Sequence, residues 1–171
     1  KNVVTFICDT GNKYLSKAFN KSWLHDNNLL ESEKFGDLRD LISRRADQGE
    51  MITVAPSDSL LVAYNRMRAS DISQLPVIKE GDLLGIIDEE DVLISVSKNQ
   101  GTFSDEVERH MIQQLDVLQY NASEDELIGI LSEGKVAIIY NEDTFIGFIT
   151  KVDLINHYRN IMSIGTKIYT W

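Results

Sequence analysis

Cysteine occurs once and proline twice in 171 residues, bases are outnumbered by acids, and long apolar runs are missing. Each shortage excludes something. A lone thiol rules out an internal disulfide and a cysteine-rich zinc site, and without a secretory signature it points to a reducing cytosol. With 17 Lys+Arg against 27 Asp+Glu the net charge is −10, which repels both nucleic acid and an anionic membrane. The apolar runs fall far short of the ~20 residues that span a bilayer. None of this starves a core. A chain of this length buries roughly 70% of its surface on folding, and 43% apolar with 26% charged residues is an ordinary globular mixture. The chain begins at Lys1, directly before an apolar strand, which reads as a fragment whose natural start lies upstream.

The first feature present is VVTFICDTGNKYLSKAF (3–19), an Asp-Thr-Gly behind an apolar strand and beside the one cysteine. Aspartic-protease chemistry needs two carboxylates sharing a proton, and a small residue after the glycine, whereas Asn12-Lys13-Tyr14 follows here. Cys8 as a nucleophile needs a histidine base, and His25, His110 and His157 show no recognisable pairing with it. Cys8 reads instead as a small buried apolar residue.

Further along, LLGIIDEEDVLISV (83–96) and FIGFITKVDLINHY (145–158) repeat one pattern, with glycines 147 − 85 = 62 residues apart. The echo extends upstream: FGDLRDLI (35–42) with FSDEVERHMI (103–112), TVAPSDSLLVAYNRM (53–67) with VLQYNASEDELIGIL (117–131), and LPVI (75–78) with VAIIY (136–140). A fixed period of this size signals an internal repeat. Each copy reads as an entry strand (52–54; 116–119), a helix capped by Ser57 or Ser59 and by Ser123, two apolar strands joined by turn residues, and a closing helix. Gly134 stands where a helix C-terminal glycine belongs. The fold class is therefore α/β (α+β), two tandem β-α-β-β-α units packed as a pseudo-two-fold pair. Boundaries fall at 1–24 (a domain remnant), 25–34 (a polar linker), 35–98, 103–160 and a tail at 161–171.

The motifs G-I-I-D-E-E-D and G-F-I-T-K-V-D, with D-I-S-Q-L-P-V-I (71–78) before the first, resemble those of the CBS domain, whose pairs are called Bateman modules. The resemblance covers about three quarters of the chain. Residues 3–24 are similar to the end of the catalytic domain in pyridoxal-phosphate enzymes of the cystathionine β-synthase and cysteine synthase type, β-replacing lyases of cysteine metabolism. There a small hydroxyl residue meets the cofactor's pyridine nitrogen, and Thr10 holds that position. The resemblance implies a regulatory module whose parent uses pyridoxal phosphate. The fragment itself should lack both the cofactor and catalytic activity, and no metal site is expected.

The same resemblance implies an adenosyl ligand, S-adenosylmethionine or AMP/ATP, between the copies. One ionised carboxylate accepts both hydroxyls of a ribose, each bond worth roughly 1.5–3 kcal/mol, and Asp153 at a helix start suits this, with Thr150 capping the same helix. Adenine would be gripped by Thr53, Val54, Ala55, Ile72, Ser73, Gln74 and Leu75. A second cleft, at Asp88, Asp91, Val136 and Ala137, departs from the pattern: Asp88 replaces the family's threonine, and Glu89 and Glu90 crowd Asp91. That cleft should be empty or take a ligand without anionic groups. With Lys151 the one cation beside the better motif and −10 overall, a cationic effector such as S-adenosylmethionine is favoured. The competing reading is a structural module with degenerate clefts that dimerises through helices bearing Leu60, Leu61, Leu93, Ile94, Leu127 and Ile128. In either case the expected partners are a second copy and the catalytic domain of the same chain, in the cytoplasm.

Overall fold

The computed structural model describes residues 24, 34–46, 49 and 51–167. The pyridoxal-type segment with Cys8, Asp9 and Thr10, and nearly all of the polar linker, lie outside the described residues. Two β-α-β-β-α units follow one another. The first contains α1 (Leu60–Ser70), β1 (Gln74–Lys79), β2 (Asp82–Asp88) and α2 (Glu89–Lys98). The second contains β3 (Asp116–Gln119), α3 (Glu124–Ser132), β4 (Ala137–Asn141), β5 (Thr144–Ile149) and α4 (Lys151–Lys167). The closing helix runs past residue 160 into what the sequence reads as a tail, because no proline or glycine interrupts 151–164 and Gly165 alone is too weak a breaker to stop it.

Local chemistry sets these elements. Ser59 caps α1, its hydroxyl accepting from the Val62 amide, and Leu60, Ala63 and Met67 bury one face at helical spacing. Ser123 and Glu126 form a reciprocal capping box at α3. Glu80 and Gly81 take left-handed φ values of 54° and 100° and make the two-residue hairpin turn between β1 and β2. In the second unit β3 pairs parallel with β4, and β4 antiparallel with β5.

The entry strand expected at 52–54 contracts to a single parallel bridge from Val54 to Val77. Its flanking backbone groups are taken by side chains instead. Arg66 donates to the Thr53 carbonyl at 2.8 Å, and the Ala55 amide donates to Asp58 at 2.9 Å.

The two units trade their leading segments. Leu38, Leu41 and Ile42, at the start of the first unit, are buried with Leu127, Leu131, Ala137, Ile139, Ile146 and Ile149 of the second. The Leu38 amide donates to the Tyr120 carbonyl at 3.1 Å, and the Ala46 amide to Ile146 at 2.9 Å. Reciprocally, Val107 from the segment before the second unit is buried with Val54, Leu60, Leu75 and Ile87, and Ile112 exchanges two backbone hydrogen bonds with Ile86. A third apolar cluster of Ile86, Ile138 and Phe145 joins the two units.

Both motif glycines serve this exchange. A Cβ at Gly147 would lie 2.5 Å from Ile42 Cγ2, and one at Gly85 would lie 2.6 Å from the Ile112 carbonyl oxygen. Gly85→Ala is therefore expected to lower stability by ~1–3 kcal/mol in urea denaturation, because backbone has to move. Gly129→Ala, on an exposed stretch of α3 with nothing within 4 Å, should raise it by ~0.5–1 kcal/mol.

Candidate functional site

A cleft of about 400 Å³ lies at the junction of the two units. The first unit contributes Met51, Ile52 and Asp71–Gln74, the second contributes Gly134–Val136, Phe148, Thr150–Asp153 and Asn156, and the exchanged segment adds Ser43 and Arg44. Its position follows from the topology: β1 and the β5–α4 turn bring their ends to one place, and the leading segment closes the side.

At the polar end, Thr150 and Asp153 cap α4 reciprocally. Asp153 Oδ2 accepts from the Thr150 amide at 2.8 Å and from the Thr150 hydroxyl at 2.6 Å, while the Asp153 amide donates to Thr150 Oγ1 at 3.4 Å. The Ser43 hydroxyl donates to Asp153 Oδ1. Apolar lining comes from Met51, Ile52, Ile72, Val136 and Phe148. Gln74 also lines the cleft, and its Oε1 is buried with no donor. A buried acceptor without a partner is costly, and an exocyclic amine is the kind of donor it lacks.

The sequence-derived residues divide as follows. Ile72, Ser73, Gln74, Thr150 and Asp153 line the cleft together. Val54 and Leu75 do not; both are fully buried in the first core, where the strand alternation turns their side chains inward. Thr53 and Ala55 are also absent from the lining, and Met51 and Ile52 stand there instead. Val136 was expected in the other cleft beside Asp88 and Asp91, yet it lines this one, and Ala137 is wholly buried in the second core.

Ser43, Arg44, Lys135, Phe148 and Asn156 were not anticipated, and Ser43 and Arg44 reach the cleft only through the segment exchange. Their arrival also corrects the charge reading. Arg44, Lys135 and Lys151 line the cleft together with Asp71 and Asp153, so the lining carries three cations against two acids where the sequence suggested Lys151 alone. Lys135 is shared with Glu133 at 2.8 Å and Asp116 at 3.3 Å, and these carboxylates raise its pKa.

At the first unit's motif, Asp88 and Asp91 cap α2 in the same reciprocal way, with 2.8 and 3.2 Å hydrogen bonds. Both contacts are internal to the helix start. Burial, with the neighbouring charges of Asp88 and Glu90, lifts the Asp91 carboxyl to about 6. Among the described residues no group of His, Cys, Asp and Glu side chains is arranged to hold a metal, and no helix is long and apolar enough to cross a membrane.

Comparison with known proteins agrees with this architecture. Residues 38–98 match the CBS domain family model. A CBS-domain containing protein of Agrobacterium tumefaciens is similar at 23% identity and TM-score 0.62, over 71% of this chain and 98% of that one. The acetoin utilization protein AcuB of Vibrio cholerae is similar at 20% identity and TM-score 0.65, over 77% and 96%. CBSX2, solved in complex with AMP, is similar at 18% identity and TM-score 0.61, over 74% and 98%. A cysteine synthase of Dictyostelium discoideum is 46% identical over 33 residues, which is 19% of this chain and 9% of that enzyme's length.

The raised Asp91 pKa has a measurable consequence. Its folded value of about 6 exceeds the ordinary 3.8, so the stability it confers is fully present below pH 4 and is lost as pH rises through 6. Asp91→Asn should therefore stabilise the protein by up to ~1 kcal/mol at pH 7, after discounting for solvent screening. Thermal melts of the two proteins should converge near pH 4. Residues 38–98 match the CBS domain family, and the two units together share the fold of the CBS-domain proteins they resemble.

Proposed function

We propose that this region is the regulatory module of a pyridoxal-phosphate enzyme of the cystathionine β-synthase or cysteine synthase type, and that its junction cleft binds an adenine nucleotide. The observation that carries the reading is the composition of one cleft. It sets the Thr150–Asp153 pair for a ribose, apolar Ile72, Val136 and Phe148 for a base, and Arg44, Lys135 and Lys151 for a phosphate. The unpartnered Gln74 oxygen suits the amino group of adenine. The AMP complex of CBSX2 supports the ligand class, and the short cysteine synthase match supports the parent.

Local charge outweighs net charge in choosing the ligand. A phosphate a few ångströms from Arg44 and Lys151 interacts with those side chains far more strongly than with acids beyond a Debye length of ~8 Å. AMP or ATP is thus preferred over cationic S-adenosylmethionine, which the sequence alone had favoured. Pyridoxal phosphate belongs to the catalytic domain in this reading, with Thr10 as the residue of this chain that would meet it.

A pairing role accompanies the sensing role. Leu93 on α2 and Val152, Ile155 and Met162 on α4 are 63–74% exposed, an apolar surface that a second copy would cover, and a homodimer is expected by light scattering at micromolar concentration. For the ligand, calorimetric titration should show AMP binding, weakened ~10–100-fold by Asp153→Ala through loss of charge-assisted bonds. Asp91→Ala should leave the affinity within ~2-fold, since that carboxylate lies outside the cleft. No heat with AMP, ATP or S-adenosylmethionine would leave the pairing role standing alone.

A further inference from the structure

Asp153 has more suitors than places. A carboxylate offers about four lone-pair sites, and three are taken: two by Thr150, through its amide and its hydroxyl, and one by the Ser43 hydroxyl. One place remains, whereas a ribose presents two adjacent hydroxyls. If both are to bind, one existing bond has to go.

The two Thr150 bonds are poor candidates. Breaking the amide bond would strand a backbone N–H at the start of α4, and the hydroxyl bond to the same carboxylate oxygen is partly buried, whereas the Ser43 bond is exposed. The Ser43 hydroxyl is exposed and rehydrates at little cost. It is also the one bond of the three that ties two separate segments together. Ser43 follows Ile42, whose side chain presses against Gly147, and precedes Ala46, whose amide is held by Ile146.

From this count we infer that Ser43 is a latch: the ribose diol displaces it from Asp153, and ligand binding loosens the seating of residues 34–46 on the second unit. The inference rests on the cleft holding a ribosyl ligand as proposed above, and adds how occupancy is converted into movement. Because coupling is reciprocal, the seated segment opposes the ligand as much as the ligand opposes the segment. The diol, rather than the base or the phosphate, is the part of the ligand that is read.

The test uses the whole chain, with AMP and its 2′,3′-dideoxy analogue as probes. Ser43→Ala should tighten AMP binding by ~3–10-fold, because no bond has to be surrendered, and Ser43→Thr should restore the wild-type affinity. Saturating AMP should speed hydrogen exchange at the Leu38 and Ala46 amides of the wild type, while the dideoxy analogue should not. In Ser43→Ala those amides should exchange faster than in the unliganded wild type from the outset and respond little to AMP. Weaker AMP binding by Ser43→Ala would make Ser43 a ligand contact and overturn the latch. So would unchanged affinity, or slower exchange at Leu38 and Ala46 on AMP addition. Failure of the wild type to bind AMP at all would instead overturn the cleft assignment, and the latch with it.

Discussion

Burial of Leu38, Leu41 and Ile42 in a core assembled by residues more than eighty positions later is the contact from which the rest follows. Each fully buried aliphatic side chain stabilises by roughly 1.5–3 kcal/mol, so this short segment is strongly anchored despite having one 3-10 turn of its own, Leu38–Leu41. The anchoring delivers Ser43 and Arg44 to the cleft wall. It also accounts for Gly147, since a side chain there would collide with Ile42. Val107 and Ile112 serve the first unit in the same manner, and Gly85 makes room for Ile112. The pseudo-two-fold relation is thus one of mutual completion, in which each unit lends the other the piece that closes its core.

Symmetry of backbone does not bring symmetry of chemistry. Asp91 and Asp153 hold the same third position in their helices and return the same kind of bond to the cap residue. The partner differs, carboxylate Asp88 in one case and hydroxyl Thr150 in the other. Burial first, and the carboxylate of Asp88 beside it second, shift Asp91 upward. A hydroxyl beside a carboxylate donates a hydrogen bond to it. One residue at the start of each helix therefore sets the chemistry around a carboxylate that the repeated motif otherwise makes alike.

The repeat, its element order and the ends of most elements could be read from the sequence because they rest on local signals. Ser59 and Ser123 cap where their hydroxyls suggest, and the Glu80–Gly81 turn sits where glycine follows an acid between apolar runs. The Thr150–Asp153 pair was visible for the same reason, its two members being three residues apart. What escaped detection was long-range. Nothing in Ile42-Ser43-Arg44 indicates that it will lie beside Asp153, because the pairing depends on tertiary packing across more than a hundred residues. The burial of Val54 and Leu75 is of the same kind: strand alternation is evident in sequence, but the face turned to the cleft is fixed by what packs behind it. Net charge is a related case, since a composition averages over surfaces that a cleft keeps apart.

The exchange of leading segments also governs the order in which this chain can fold. The Ala46 amide waits for Ile146, 146 − 46 = 100 residues downstream. At ribosomal speeds of roughly 5–20 residues per second, that interval lasts roughly 5–20 s. Throughout it, Leu38, Leu41 and Ile42 have no core to enter, and the first unit awaits Val107 and Ile112 to complete its own. Contacts of such wide sequence separation slow folding through the entropy of loop closure. The molecule is therefore built to mature late and as a whole, and a nascent chain stalled between its two halves would expose apolar residues that the finished protein buries.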